Sequence, residues 1–63
     1  MPDFKIGGLV TSEYFEVGLL VAVYDHDTQD PADLSDAKTK LLEALVEVDG
    51  DTKSLFLHEL APL

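Results

Sequence analysis

The chain has 63 residues, with 13 acidic residues against four lysines, no arginine and no cysteine, and its formal net charge at pH 7 is -9. This charge excludes the phosphate-neutralising surface that direct nucleic-acid binding requires. The absence of cysteine excludes disulfides and thiolate metal sites. The length allows one domain, residues 1–63, near the lower size limit for a core without a cross-link.

The hydrophobic content of 46% argues against a disordered chain. No apolar run reaches the roughly 20 residues that span a bilayer, and the N-terminus lacks the features of a signal peptide. We therefore expect a cytoplasmic protein, in the host cytoplasm if it is viral, with no membrane contact.

The first predicted element is a strand over residues 4–11, because Phe4, Ile6 and Val10 fall on one face at a period of two. Gly7 and Gly8 interrupt this strand. They predict a β-bulge, with a two-residue hairpin turn as the alternative.

Residues 13–24 give the strongest strand pattern, since they are rich in valine and aromatic residues. The short link before them predicts an antiparallel hairpin with the first strand. The face predicted to meet the core is continuously apolar: Phe15, Val17, Leu19, Val21 and Val23. The opposite face is predicted to receive a partner at its apolar end: Tyr14, Glu16, Gly18, Leu20, Ala22 and Tyr24.

A helix is predicted from Asp30, as the N-cap, to the Asp49-Gly50 pair, with Pro31 in the first helical position. Apolar residues follow helical spacing along it: Leu34, Ala37, Leu41, Leu45 and Val48, with Leu42 and Val46 widening the stripe. Gly50 is expected to end the helix in the left-handed conformation.

Residues 53–60 predict the last strand, in which His58 is expected to bond a neighbouring group. The predicted order is therefore strand, strand, helix, strand. This is a small α+β fold with one helix on a three-stranded, mostly antiparallel sheet.

The segment from residue 25 to residue 36, here called the acidic segment, carries five aspartates and no lysine. Its ligand spacing departs from a calcium loop at the glycine and closing-glutamate positions. A looser site in which His26 joins Asp25 or Asp27 stays open for zinc or manganese. We expect neither a metal nor another cofactor to be required.

Acidic and apolar surface beyond what folding needs indicates a binding protein and not an enzyme. The first hypothesis is an acidic protein that docks on a basic protein surface, such as an inhibitor of a nucleic-acid-handling machine of the kind encoded by viruses or mobile elements. The alternatives are a structural subunit of a symmetric or virion-like assembly and a small-molecule binder at an oligomer interface. A homo-oligomer, most simply a dimer, is expected. The predicted partner-binding residues are Asp25, Asp27, Asp30, Asp33, Asp36, Tyr14, Leu20 and Tyr24.

Overall fold

The computed structural model describes residues 3–63 and consists of one five-stranded antiparallel sheet. The strands are β1 (Leu9–Thr11), β2 (Gly18–Asp25), β3 (Leu42–Val48), β4 (Asp51–Phe56) and β5 (Ala61–Pro62), in the order β4-β3-β2-β1-β5. Two short 3-10 helices, Leu34–Lys38 and Leu57–Glu59, precede β3 and β5. Within residues 3–63 there is no helix of seven or more residues, and none is long and apolar enough to cross a membrane.

The predicted α+β fold is wrong, because most of the predicted helix is extended. Only Leu34–Lys38 is helical, as a 3-10 turn, and Leu42–Val48 is a central strand that pairs with β2 and β4. Inward positions of β3 alternate with outward ones, and Leu42, Ala44 and Val46 are each at most 2% exposed. The same residues fit both a period of two and helical spacing. Pairing with a strand on each side favours the extended conformation.

The Asp49-Gly50 pair joins β3 to β4 and does not end a helix. Both residues have positive φ, 52° at Asp49 and 86° at Gly50, as a two-residue type I′ hairpin turn requires. Val48 and Asp51 pair directly on either side of it. The turn therefore fixes the register of β3 and β4.

Gly7 and Gly8 form the predicted β-bulge at the end of a turn, because both lie opposite Leu20. The N–H of Gly7 donates to the Leu20 carbonyl oxygen at 2.7 Å, and the N–H of Leu20 donates to the Gly8 carbonyl oxygen at 2.9 Å. The N–H of Gly8 donates to the carbonyl oxygen of Lys5 at 2.9 Å, and Gly7 has φ of 85°. The first strand consequently begins at Leu9. It pairs antiparallel with β2 as predicted, although the connection spans residues 12–17.

A bulge in β2 changes which side chains face the core. The pairing with β3 shifts between Leu20 and Ala22, which leaves Val21 as an extra residue. Leu20 is fully buried before the bulge and Val23 is 5% exposed after it. The prediction that all odd-numbered residues of this strand face the core is thus correct for Val23 and wrong for Leu19 and Val21, which are exposed.

The core lies on the inner face of the sheet, under the connecting segments. Its buried members are Val10, Leu20, Val23, Leu42, Ala44, Val46, Leu57 and Leu60, with Phe4, Phe15, Ala32, Leu34, Val48 and Leu55 packed at its margin. The predicted last strand, residues 53–60, agrees with β4 only up to Phe56. The second 3-10 helix then turns Leu57 into the core.

Candidate functional site

The acidic segment follows β2 and is anchored by its first aspartate. Asp25 is 8% exposed, and its carboxylate accepts hydrogen bonds from the N–H groups of Asp27 at 2.8 Å and Thr28 at 3.4 Å. Nζ of Lys40 lies 3.9 Å from the same carboxylate. Asp25 therefore closes the turn after β2, which is a structural role that needs no partner.

The other aspartates of the acidic segment divide into one that is bonded and three that are exposed. The carboxylate of Asp36 accepts the N–H of Asp33 at 3.1 Å, at the start of the first 3-10 helix. Asp27, Asp30 and Asp33 have exposed side chains. The docking role of the segment stays a prediction. Asp33 is also the N-cap residue of the first 3-10 helix, so Asp27 and Asp30 are the aspartates that the fold leaves open for this role.

An outer-face network, formed by Tyr24, His26, Glu43 and Ser54, links β2, β3 and β4. Oη of Tyr24 donates to the Glu43 carboxylate at 2.6 Å, and Oγ of Ser54 donates to the same oxygen at 3.3 Å. Nδ1 of His26 bonds the other Glu43 oxygen. Cross-strand pairing of Tyr24 with Glu43 places both side chains on the same face.

The outer-face network shifts the titration of two of its members. The hydrogen bond that His26 donates to Glu43 raises the pKa of His26 above 6.5, against the opposing effect of burial. Hydrogen bonds from Tyr24 and then His26 lower the pKa of Glu43 below 4.5. Ser54 bonds Tyr24 and Glu43, and no hydroxyl within residues 3–63 bonds a histidine ring. The network therefore connects three strands through side-chain hydrogen bonds.

The two histidines flank the same aromatic ring. His26 meets Phe56 edge-on at 5.2 Å between ring centroids, and His58 stacks on Phe56 at 5.4 Å. His58 lies exposed in the second 3-10 helix, so its predicted strand position is wrong. In the part of the chain that the structure describes, no three His, Asp or Glu side chains are grouped so that they could hold a metal ion.

An acidic cleft of about 590 Å³ opens between the β1–β2 loop and the β3–β4 hairpin. Residues 14–17 form one wall, and Val48, Asp49, Asp51 and Lys53 form the other. Tyr14 is 62% exposed and Val17 is 53% exposed. The cleft thus presents aromatic and aliphatic surface among three carboxylates, those of Glu16, Asp49 and Asp51.

Further carboxylates extend the negative surface around the cleft. Glu59, in the second 3-10 helix, and Glu13 raise the pKa of the Tyr14 phenol above 10.0, since a phenolate there would be repelled by both. Tyr14 therefore lies in a negative field produced by elements that are distant in sequence.

The predicted partner-facing side of β2 is only partly exposed. Leu20 is completely buried, so its assignment to a partner-binding surface is wrong; the bulge and the pairing with Val46 place it in the core. Ala22 and Tyr24 do lie on the outer face and are half-buried there. Leu9 and Leu19 pair on the same face and are 54% and 38% exposed, so the open apolar surface differs from the predicted one.

Comparison with protein-family models, curated proteins and solved structures found no match to this chain.

The carboxylates of the acidic cleft were not among the predicted site residues. Glu16, Asp49 and Asp51 come from two segments more than 30 positions apart, and no local pattern joins them. One signal was available, because Asp-Gly between alternating hydrophobic residues is typical of a hairpin turn. That interpretation would have placed Asp49 and Asp51 together at an exposed tip.

Proposed function

We propose that this protein is a small acidic binding module, without enzymatic activity, that docks on a basic surface of another protein. The observation that carries this proposal is the acidic cleft. Exposed Tyr14 and Val17 lie there among the carboxylates of Glu16, Asp49 and Asp51. Many protein interfaces combine aromatic surface with charged residues. The negative charge of this surface favours a basic partner.

The charge balance of the whole chain supports the same proposal. A net charge of -9 repels nucleic acids and anionic membranes but accelerates encounter with a basic protein. A basic groove that normally holds nucleic acid is one surface with the required charge. The form of this function that we favour is an inhibitor, of the kind encoded by viruses or mobile elements, that occupies such a groove of a nucleic-acid-handling protein.

Salt-dependent capture tests the proposal. The immobilised protein is exposed to lysate of the cells that produce it, at about 0.05 M and about 0.5 M salt, so that surface electrostatics are first weakly and then strongly screened. Captured proteins are purified, and their association and dissociation rates are measured over the same salt range. We expect a basic partner whose association rate falls steeply with salt.

A neutral variant sharpens this experiment. Glu16→Gln combined with Asp49→Asn and Asp51→Asn removes three charges from the cleft and should slow association most at low salt. A partner that binds both proteins equally fast at every salt concentration would refute the proposed function.

A second candidate function is a structural subunit in a symmetric assembly. It is favoured by the open outer face, where Leu9 and Leu19 are paired and exposed. Self-association through that face would bury apolar surface and would depend little on salt, which distinguishes it from electrostatic docking.

A further inference from the structure

We propose that the acidic cleft receives an arginine side chain of the basic partner. This inference rests on the proposed function and specifies its chemistry. It is carried by the shape of the cleft, the exposure of its aromatic wall and the position of its charges.

The polarity of the cleft changes from its inner end to its mouth. Phe15 and Val48 are half-buried and pack at the margin of the core, so they form an apolar inner end. Tyr14 and Val17 are more than half exposed and stand nearer solvent. A side chain that enters from solvent therefore reaches the exposed surface of Tyr14 and Val17 before the apolar inner end.

The charges of the cleft demand a cationic end. Glu16, Asp49 and Asp51 contribute three negative charges and Lys53 contributes one positive charge, which leaves a net charge of -2. Asp49 and Asp51 lie on one wall and Glu16 on the other. A cation between the walls is attracted from both sides.

Arginine fits this arrangement better than lysine or a divalent ion. Its planar guanidinium stacks on an exposed aromatic ring such as that of Tyr14 and still offers several N–H donors to carboxylates. A lysine ammonium is a compact, strongly hydrated charge that cannot do both as well. A divalent ion is disfavoured because no suitable group of ligands occurs within residues 3–63.

Both walls are held in place before a ligand arrives. The β1–β2 loop is closed by the N–H of Ser12, which donates to the Phe15 carbonyl at 3.2 Å, and by Oγ of Ser12, which accepts the N–H of Tyr14 at 3.0 Å. The opposite wall is a tight hairpin with a two-residue turn. Binding therefore requires little ordering of the backbone, which favours affinity.

The test is an NMR titration of the ¹⁵N-labelled protein with a pentapeptide that has neutral ends and one arginine between two leucines. Matched peptides carry citrulline or lysine in place of the arginine. We expect the arginine peptide to shift the amides of residues 13–18 and 48–53 most. We expect citrulline to weaken binding by about fivefold or more, because it keeps the shape and loses the charge.

Two double variants with the same change in charge locate the site. Asp49→Asn with Asp51→Asn should weaken arginine-peptide binding about fivefold, which corresponds to two partly exposed ion pairs. Asn tolerates the positive φ of residue 49, so the turn is retained. Asp27→Asn with Asp30→Asn changes two exposed aspartates outside the cleft and should change binding less than about twofold.

Each contrary outcome is distinguishable from failure of the proposed function. Shifts centred on residues 25–36 or on the outer face, equal binding of citrulline, or no binding of the arginine peptide would overturn the arginine site. The salt-dependent capture of a basic partner could still succeed in those cases. Failure of that capture would instead remove the proposed function.

Discussion

Gly18 in β2 lies so close to Val46 in β3 that a β-carbon on Gly18 would be 2.5 Å from Cγ1 of the valine. The ring of Phe15 would be 2.8 Å from this added β-carbon. The glycine therefore allows the β1–β2 loop, which forms one wall of the acidic cleft, to pack against the sheet.

Gly18→Ala should lower the free energy of unfolding by about 1–3 kcal/mol, because the added methyl group overpacks the core. Urea unfolding measures this change. Val46→Ala removes one of the clashing groups, so the double variant should be more stable than the sum of the two single losses implies. Strict additivity would show that the close approach of residues 18 and 46 is not the cause.

Gly50→Ala should destabilise the β3–β4 hairpin by about 1 kcal/mol, since alanine is strained at the positive φ of this turn residue. Space is not the reason, because no atom beyond the neighbouring residues in the chain lies within 4 Å of the added β-carbon. Thermal unfolding gives the comparison. Asp49→Asn is the control and should leave the melting temperature almost unchanged; an equal loss in both variants would contradict the turn argument.

The contribution of the His26–Glu43 pair to stability should be greatest between about pH 4.5 and 6.5. The pKa of His26 is raised, mainly by its hydrogen bond to Glu43, so its contribution is complete below 6.5 and is lost as pH rises through the folded value. The pKa of Glu43 is lowered, so its contribution is complete above 4.5 and is lost as pH falls through its folded value. The nearby carboxylates of Asp27 and Asp25 act in the same direction on His26.

Melting temperatures of the parent and His26→Asn, measured from pH 3 to pH 9, check this profile. The difference between them should be largest inside the window and should shrink on both sides. His58→Asn is the control, because the His58 ring contacts Phe56 as the His26 ring does but lies outside the outer-face network. A parent–variant difference that does not change with pH would exclude a charged His26–Glu43 pair.

Asp25→Ala should destabilise the protein by about 1–3 kcal/mol, because two N–H groups lose their acceptor at a buried position. Asp27→Ala, in the same segment but exposed, should have an effect within about 0.5 kcal/mol of zero. Chemical unfolding of both variants makes the comparison. Similar small effects would mean that Asp25 is a solvated loop residue, as Asp27 is expected to be.

Self-association through the outer face is the remaining prediction. Sedimentation at high micromolar concentration should show a dimer. Leu19→Glu should convert it to a monomer with little loss of stability, because Leu19 is exposed and lies beside Leu9 on that face. A parent protein that sediments as a monomer would remove this prediction and the second candidate function with it.

The strand at residues 18–24 and its pairing with the first strand were predictable, because a run rich in valine and aromatic residues favours extended chain. Residues 53–56 were also predicted as strand, although they contain no valine. The fate of Leu42–Val48 was not predictable from spacing alone. Leucine, glutamate and alanine are good helix formers, and both periods occur in these residues. Pairing with two neighbouring strands overrides that local preference, and the Asp49-Gly50 turn brings one of them into register.

The candidate site was less predictable than the fold for a similar reason. The density of aspartates drew attention to residues 25–36, yet Asp25 and Asp36 there bond the backbone of their own segment. The acidic cleft depends on contacts between the β1–β2 loop and the β3–β4 hairpin, which arise only when the sheet forms. Tyr14 was the predicted residue that also lines this cleft.

The bulge at Val21 is the point at which β2 can lose a residue without changing which of its other side chains face the core. Before the bulge an even-numbered residue, Leu20, faces the core, and after the bulge an odd-numbered residue, Val23, does so. Substituting Val21 changes one exposed side chain. Deleting it would leave Leu20, Ala22 and Val23 opposite the same residues of β3 in regular pairing, so Val23 and Asp25 would still face the core. Drift in this strand should therefore tolerate both exchange and loss of the residue at position 21.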